Sequence, residues 1–257
     1  TVITNTQRAC APHMPHPMPV RNLHNEIYES LRLSIIMGDF VPGQVFSTRG
    51  IADRFGTSLM PARDAMKRLV AERGLELLPN RSFCIPKMSR QRFQELLQVR
   101  MYLESVLTER ACAVLSPEGL RSIESINEDM QLAVLANDVR GYLSANHRFH
   151  FGIYQAANTM EILPIVESMW LQTGPFLNAV FTKYGTVNAQ DNHTQVIKAL
   201  RRRDAAVAAD AIRSDLADAA DLILANAEFV VDSDPSLAQR NSRAIFSFPR
   251  ILANFHS

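Results

Sequence analysis

With 257 residues, 47% of them hydrophobic and 21% charged, the chain can form two ordinary domains or one large one around a sizeable core. Its three cysteines, Cys10, Cys84 and Cys112, lack CxxC spacing, and no run approaches the roughly 18 apolar residues of a membrane span. A disulfide framework, a zinc finger and a membrane protein are therefore set aside, and a reducing cytoplasm is the expected compartment. The formal charge of +1 is unevenly placed: residues 21–87 hold ten basic and seven acidic side chains, and residues 91–232 hold twelve and eighteen. A basic front suits a polyanion-binding module joined to something else.

The first twenty residues are rich in Pro, His and Met, lack the apolar core of a signal peptide and read as a loose arm. From Ile27 through Leu31, Leu33 and Ile35–Ile36 the apolar residues recur at helical spacing, and Gly38 ends the run. Residues 47–71 then read as two short helices around a tight turn. Ile51, Ala52 and Phe55 share a face of the first; Gly56 sits where a left-handed residue ends a helix; Ser58 is placed to cap the next. Pro61 falls in that helix's first turn, where its missing N–H costs little, and Ala62, Ala65, Met66, Leu69 and Val70 form its apolar stripe. Arg63, Lys67 and Arg68 are left to point elsewhere. This is the helix-turn-helix pattern, for which an ordinary helical hairpin is the competing reading. Two short apolar runs, Leu75–Leu78 and Ser82–Ile85, flank Pro79-Asn80-Arg81 and read as a β-ribbon with a basic turn, a wing that favours DNA binding.

Beyond a linker at Pro86–Ser89, with Ser89 placed as a cap, every segment to about Val231 has helical periodicity. Helices are expected over 89–115, 117–136, 139–158, 160–182, 187–202 and 204–231, the fourth kinked or split by Pro164 and Pro175. The fold class is thus mainly α: a winged helix-turn-helix followed by an all-α antiparallel bundle. The division is a flexible arm over 1–20, a DNA-binding domain over 21–87, an effector and dimerisation domain over 88–232 and a tail over 233–257. Ile245, Phe246, Phe248, Ile251, Leu252 and Phe255 give the tail enough apolar surface to pack on the body or a partner subunit.

Within the bundle, Asn146 and His150 are four apart on one helix, with Phe149 and Ile153 beside them directing that face inward. His193 precedes Val196–Ile197, and Asp215 precedes Leu216, each on a different helix. Imidazole, carboxylate and amide donors suit zinc, nickel, manganese or iron. Taken singly, each residue also fits a hydrogen-bonded core histidine or, for Asp215, Asp218 and Asp221, a solvated face. Arg100 has Glu104 at i+4, the spacing of an ion pair along one helix. His147 and Arg148 are expected to face away; Tyr154 and Trp170 are candidate pocket walls, with core packing the plainer assignment.

Residues from about 22 to 86 resemble the winged-helix domain of the GntR family of bacterial transcription regulators, through IIMGDFVPGQVFSTRGIADRFGTSLMPARDAMKRLVAERGLELLPNRSFCI. The family usually has S-R-x-P-V-R-E-A-L at the recognition helix; here it is Ser58-Leu59-Met60-Pro61-Ala62-Arg63-Asp64-Ala65-Met66, with Leu59 where a further arginine is common and Ser82 where the wing usually has Gly. The resemblance implies that Arg49 and Arg63 reach DNA. Ser58 lies in the same motif, and Lys67, Arg68 and Arg81 would add mainly backbone attraction. Residues 94–227 are similar to the helical FCD effector domain of the FadR-like branch, through LLQVRMYLESVLTERACA, ANHRFHFGIYQAAN and NHTQVIKALRRRDAAVAADAIRSDLADAADLIL. That resemblance implies a divalent metal, zinc, nickel or manganese, at Asn146, His150, His193 and Asp215. Asn stands there for the commoner Asp and Asp for the commoner His. It also implies that Arg100 faces a small carboxylate effector, the two-point clamp a guanidinium and an open metal position would make.

The expected function is a homodimeric, cytoplasmic regulator, a repressor relieved by its ligand, bound to a short palindromic operator in double-stranded DNA. Two alternatives stand beside it: a metal-dependent enzyme, for which no general base or nucleophile motif is found, and a purely structural metal.

Overall fold

The computed structural model describes residues 20–184 and 190–231. The arm expected through residue 19, with His13 and His16, and the tail expected from residue 233 to pack on the body or a partner lie outside the described residues. Among those described, twelve elements run in order: α1 (Val20–Ile36), β1 (Val45–Phe46), α2 (Thr48–Arg54), α3 (Leu59–Ala71), β2 (Glu76–Leu77), β3 (Phe83–Cys84), α4 (Arg90–Val114), α5 (Pro117–Leu135), α6 (Val139–Ala156), α7 (Ile162–Tyr184), α8 (Gln190–Arg202) and α9 (Ala205–Asn226).

The front of the molecule is three helices and a small sheet. α1 buries Ile27, Tyr28, Leu31, Ile35 and Ile36 against α3, whose own buried stripe is Pro61, Ala62, Ala65, Met66 and Leu69. Leu33 falls on the opposite side of α1 and is exposed. The turn between α2 and α3 is made by Gly56, at φ +60, donating to Asp53 O while Thr57 donates to Ala52 O, a paired closure of the last carbonyls of a helix. Gly38 ends α1 in the same way, at φ +73. Ser47 caps α2 by accepting from Gly50 N–H. Ser58 occupies the cap position of α3 with extended backbone, but its side chain makes no capping bond, so the hydroxyl stays exposed. The ribbon is a three-stranded antiparallel sheet in the order β1-β3-β2. Its edge strand β1, Val45–Phe46, is two residues long and carries no sequence alternation from which to foresee it.

Behind the wing, Ser89 caps α4 by accepting from Arg92 N–H. α4 packs on α9, α6 and α7; α5 packs on α6 and α8; α8 packs on α9. Two expected features differ. α9 stops at Asn226, and residues 227–231 run extended, Val230 N–H donating to Met88 O beside the start of α4. Aromatic packing holds that strap: Phe229 lies 5.7 Å from Phe93 and 6.0 Å from Phe176. α7 is one continuous helix rather than two, with Pro164 in its first turns and Pro175 inside it. Beside that proline, a Cβ added at Gly174 would stand 2.3 Å from Ile36 O, so α1 and α7 cross where only glycine fits.

Front and rear share one hydrophobic core. At their boundary Arg32 of α1 bridges Glu72 at 3.4 Å and Glu167 of α7 at 3.1 Å, Tyr28 donates to Glu72 at 2.5 Å, and Asn178 of α7 donates to Gly38 O at 2.6 Å.

Candidate functional site

Two regions carry chemistry. On the front, Arg49, Ser58, Arg63, Lys67 and Arg81 are all exposed, and the four cations make no hydrogen bond or ion pair to another described residue. Arg63 and Lys67 share one face of α3 at i, i+4 spacing, opposite the buried stripe. Arg81 sits at the tip of the wing at φ +63, where Asn80 accepts from Ser82 N–H to shape the turn. Arg68 differs from the others: it donates to Asn25 Oδ1 at 3.0 Å and its guanidinium lies 3.6 Å from the Tyr28 ring centroid, holding α3 to α1.

The second region is a buried polar chamber among α4, α6, α7, α8 and α9. His150 of α6, His193 of α8 and Asp215 of α9 converge, each offering a ligand atom within 4.8 Å of the others. His150 Nε2 is 3.1 Å from Asp215 Oδ2, His193 Nε2 is 3.4 Å from Asp215 Oδ1, and the two Nε2 atoms are 3.4 Å apart. Ligands about 2.1 Å from one metal ion stand roughly 3.0 to 3.4 Å from each other in octahedral or tetrahedral arrangement, so this donor set fits a divalent ion. Asn146, one turn before His150 on α6, is buried and makes no hydrogen bond to another described residue. Burial pushes the Asp215 carboxyl up, but the charges of His193 and His150, the His150 hydrogen bond and Arg100 together outweigh it and hold it below the ordinary carboxylate range. Asp218 and Asp221, three and six residues on, are exposed.

Glu104 organises the rest of the chamber. Fully buried, it accepts from Arg100 Nε at 2.7 Å, from the Tyr154 hydroxyl at 2.6 Å and from Trp170 Nε1 at 3.1 Å. Because the Tyr154 hydroxyl gives its one proton to this carboxylate, its oxygen faces His150 Nδ1 at 2.9 Å as an acceptor. The hydrogen-bond pattern thereby puts a proton on His150 Nδ1 and leaves Nε2, beside His193 and Asp215, as the nitrogen that would give up its proton to hold a metal. Arg100 is buried, also donates Nη1 to Thr173 Oγ1 at 3.0 Å and lies 4.7 Å over Trp170, so the ion pair with Glu104 and an inward-facing guanidinium coexist.

Sequence reasoning undervalued three of these residues. Glu104 figured only as a competing partner for Arg100, and Tyr154 and Trp170 as pocket walls or packing with no polar role, because their shared carboxylate is 50 and 66 residues away from them in sequence. His147 does not face away: its ring stacks on Phe151 at 4.4 Å and meets Trp170 edge-on at 5.8 Å. Burial, with His150 and Arg32 nearby, holds its pKa down to about 4.

Comparison with known proteins places both regions. A family model for bacterial regulatory proteins of the gntR family matches residues 23–85, and a model for the FCD domain matches residues 95–218. The HTH-type transcriptional regulator McbR of Escherichia coli is 24% identical over 182 residues, covering 70% of this chain and 82% of that protein. The gluconate operon transcriptional repressor of Bacillus subtilis is 22% identical over 203 residues, covering 75% and 82%. In solved structures the fold recurs in E. coli McbR/YncC (TM-score 0.75, 22% identity, 78% and 96% covered). It recurs as well in a putative GntR regulator of Rhodococcus sp. RHA1 (TM-score 0.67, 19% identity, 80% and 100% covered).

Proposed function

We propose, from the premise that this chain belongs to the GntR family of bacterial regulators and carries an FCD domain, that a divalent metal and a small carboxylate in its helical chamber set its grip on an operator. The chain is a DNA-binding regulator of transcription, and its relatives are named as regulators and repressors, which points away from an enzyme. In this reading the DNA-binding unit spans residues 21–87 and the effector unit residues 88–232. Arg49 and Arg63 touch base edges or phosphates, with Ser58 beside them. Lys67 and Arg81 attract the backbone, and Arg68 adds to the field while bracing the head.

The observation that carries the sensing half is the donor set itself: two imidazoles and one carboxylate at metal-ligand spacing, with the His150 Nδ1 proton held from behind. His150, His193 and Asp215 would hold the ion, with the Asn146 amide oxygen a weaker fourth ligand. Zinc, nickel and manganese all suit these donors. When bound, the ion supplies positive charge and open coordination positions. Arg100 and Glu104 cancel and, with both imidazoles neutral, Asp215 leaves one negative charge; a divalent ion held there would supply the positive charge that favours a carboxylate beside Arg100. The Arg100 guanidinium is held in place by Glu104 and Thr173 for that second contact.

α7 links the two regions. Trp170 and Thr173 touch the Glu104–Arg100 pair, while Glu167 and Gly174 on the same helix touch α1 and Asn178 touches Gly38 just after it. An acid drawing on Arg100 and Thr173 therefore acts on the helix that seats the DNA-binding head, and shifts the head between two arrangements of different operator affinity. The repressor names among relatives support repression, and relief by the ligand is the sign proposed with it. A homodimer fits the exposed Val99 and Tyr102 on α4, which share one face with Val106. No described helix is long and apolar enough to cross a membrane, which agrees with a cytoplasmic site of action.

The test is Arg63→Ala. It should lower affinity for an enriched operator duplex by about tenfold or more while leaving fold and oligomeric state intact, read by fluorescence anisotropy and light scattering. Unchanged affinity removes Arg63 from its role.

A further inference from the structure

The exposed face of α3 begins with two apolar side chains. Leu59 is 52% and Met60 65% exposed, whereas Pro61 and Ala62 directly after them are buried. Helical spacing sets both on the stripe that carries the cations: Leu59 and Arg63 are i, i+4, Met60 and Arg63 are i, i+3, and Arg63 and Lys67 are i, i+4. Exposed apolar residues scattered singly call for no explanation. These two adjoin, occupy the first turn of the helix, and share its outer face with Arg63 and Lys67, two exposed cations without a partner among the described residues. That charge is complementary to a polyanion, and in a helix-turn-helix the N-terminal residues of the second helix reach the base edges.

One base-edge feature of the major groove is apolar, the 5-methyl group of thymine. We infer that Leu59 and Met60 read thymine methyl groups in each operator half-site. This rests on α3 being the recognition helix. Neither side chain can offer the paired donors that hold guanine O6 and N7. A G·C pair beneath them would leave its polar edge desolvated and unpaired, whereas an A·T pair presents a methyl group to bury. The cations fix the helix on the phosphates, and the apolar pair supplies part of the sequence preference.

The experiment uses the full chain. Duplexes that bind it are enriched from a random pool, and thymines of the enriched half-site are replaced one position at a time, symmetrically, by deoxyuridine, which deletes only the methyl. At one or two positions binding should weaken about fourfold per methyl lost, hence about fifteenfold across two half-sites. Leu59→Ala should weaken binding to the thymine duplex by a similar factor and bind the matched uracil duplex no worse than the unmodified protein does. Met60→Ala is the second arm of the same cycle. Equal binding to thymine and uracil duplexes at every position overturns the inference, as does a Leu59→Ala loss that is the same on both. If the two variants leave DNA affinity unchanged but shift the oligomeric state, the patch is a protein contact and the inference falls. No enriched duplex at all overturns the DNA-binding reading as well, which separates the two failures.

Discussion

The front face and the rear chamber use charge in opposite ways. On α2, α3 and the wing, Arg49, Arg63, Lys67 and Arg81 are exposed without a partner among the described residues, and removing one leaves no described group unpaired. In the chamber, Arg100, Glu104 and Asp215 are buried, and each is held by named partners from other turns or helices. Exposed charges are therefore expected to matter for binding and little for stability. Buried ones should matter for both, because a lost partner strands a charge out of water.

Glu104→Ala is the sharpest way to break that contrast. It leaves the buried Arg100 guanidinium, the Tyr154 hydroxyl and the Trp170 N–H without their shared acceptor, and should cost about 3–5 kcal/mol of stability in chemical denaturation. Arg63→Ala should cost under about 0.5 kcal/mol in the same assay. Comparable losses from the two would erase the distinction.

Tyr154→Phe is gentler. It keeps the ring but frees His150 Nδ1, so the proton is no longer held on that nitrogen. Metal affinity should fall about 10- to 100-fold with the fold retained, read by competition with a fluorescent chelator. Unaltered affinity would make Tyr154 packing only.

Acid should act on the rear of the molecule. His147 is held neutral, with a pKa of about 4 against roughly 6.5 for an unperturbed histidine. Its folded pKa is the lower one, so the stability it contributes is fully present above about pH 6.5. That contribution is lost as pH falls from there through about 4, on the order of 2 kcal/mol once partial exposure is allowed for. Melting temperatures of the parent chain and of His147→Phe between pH 7.5 and 4.5 should diverge in that window, the variant falling less steeply.

Lys67→Ala carries the smallest expected effect. Affinity should drop by a similar small factor for all duplexes, and the slope of log affinity against log salt should lessen by about one per subunit. A loss confined to one sequence would instead make Lys67 a base contact.

The contrast also explains what could be read in the sequence. The head was legible because its signals are local: Gly56 at the turn, Pro61 in the first turn of α3 and the buried i, i+3, i+4 stripe all lie within 25 residues. α4 to α8 were legible from periodicity and, for α4, from the cap at Ser89. α9 was overextended by five residues because Ala227–Val231 continues the apolar run, while pairing with Met88 pulls it into a strand-like strap. Asn146, His150, His193 and Asp215 could be singled out as inward residues on three helices. Their meeting could be read only through the family resemblance, and the role of Glu104 behind them not at all, since 150, 193 and 215 are joined only by tertiary packing.

The central claim is that the rear chamber is a metal site. Its most direct measurement is calorimetric titration of chelator-treated protein with zinc, nickel and manganese, beside His150→Ala and Asp215→Ala checked for fold by circular dichroism. The account predicts saturable uptake of one ion per chain for at least one of these metals, abolished in both folded variants. Uptake by either variant equal to that of the parent chain, or no uptake of any of the three ions by the parent, would contradict it.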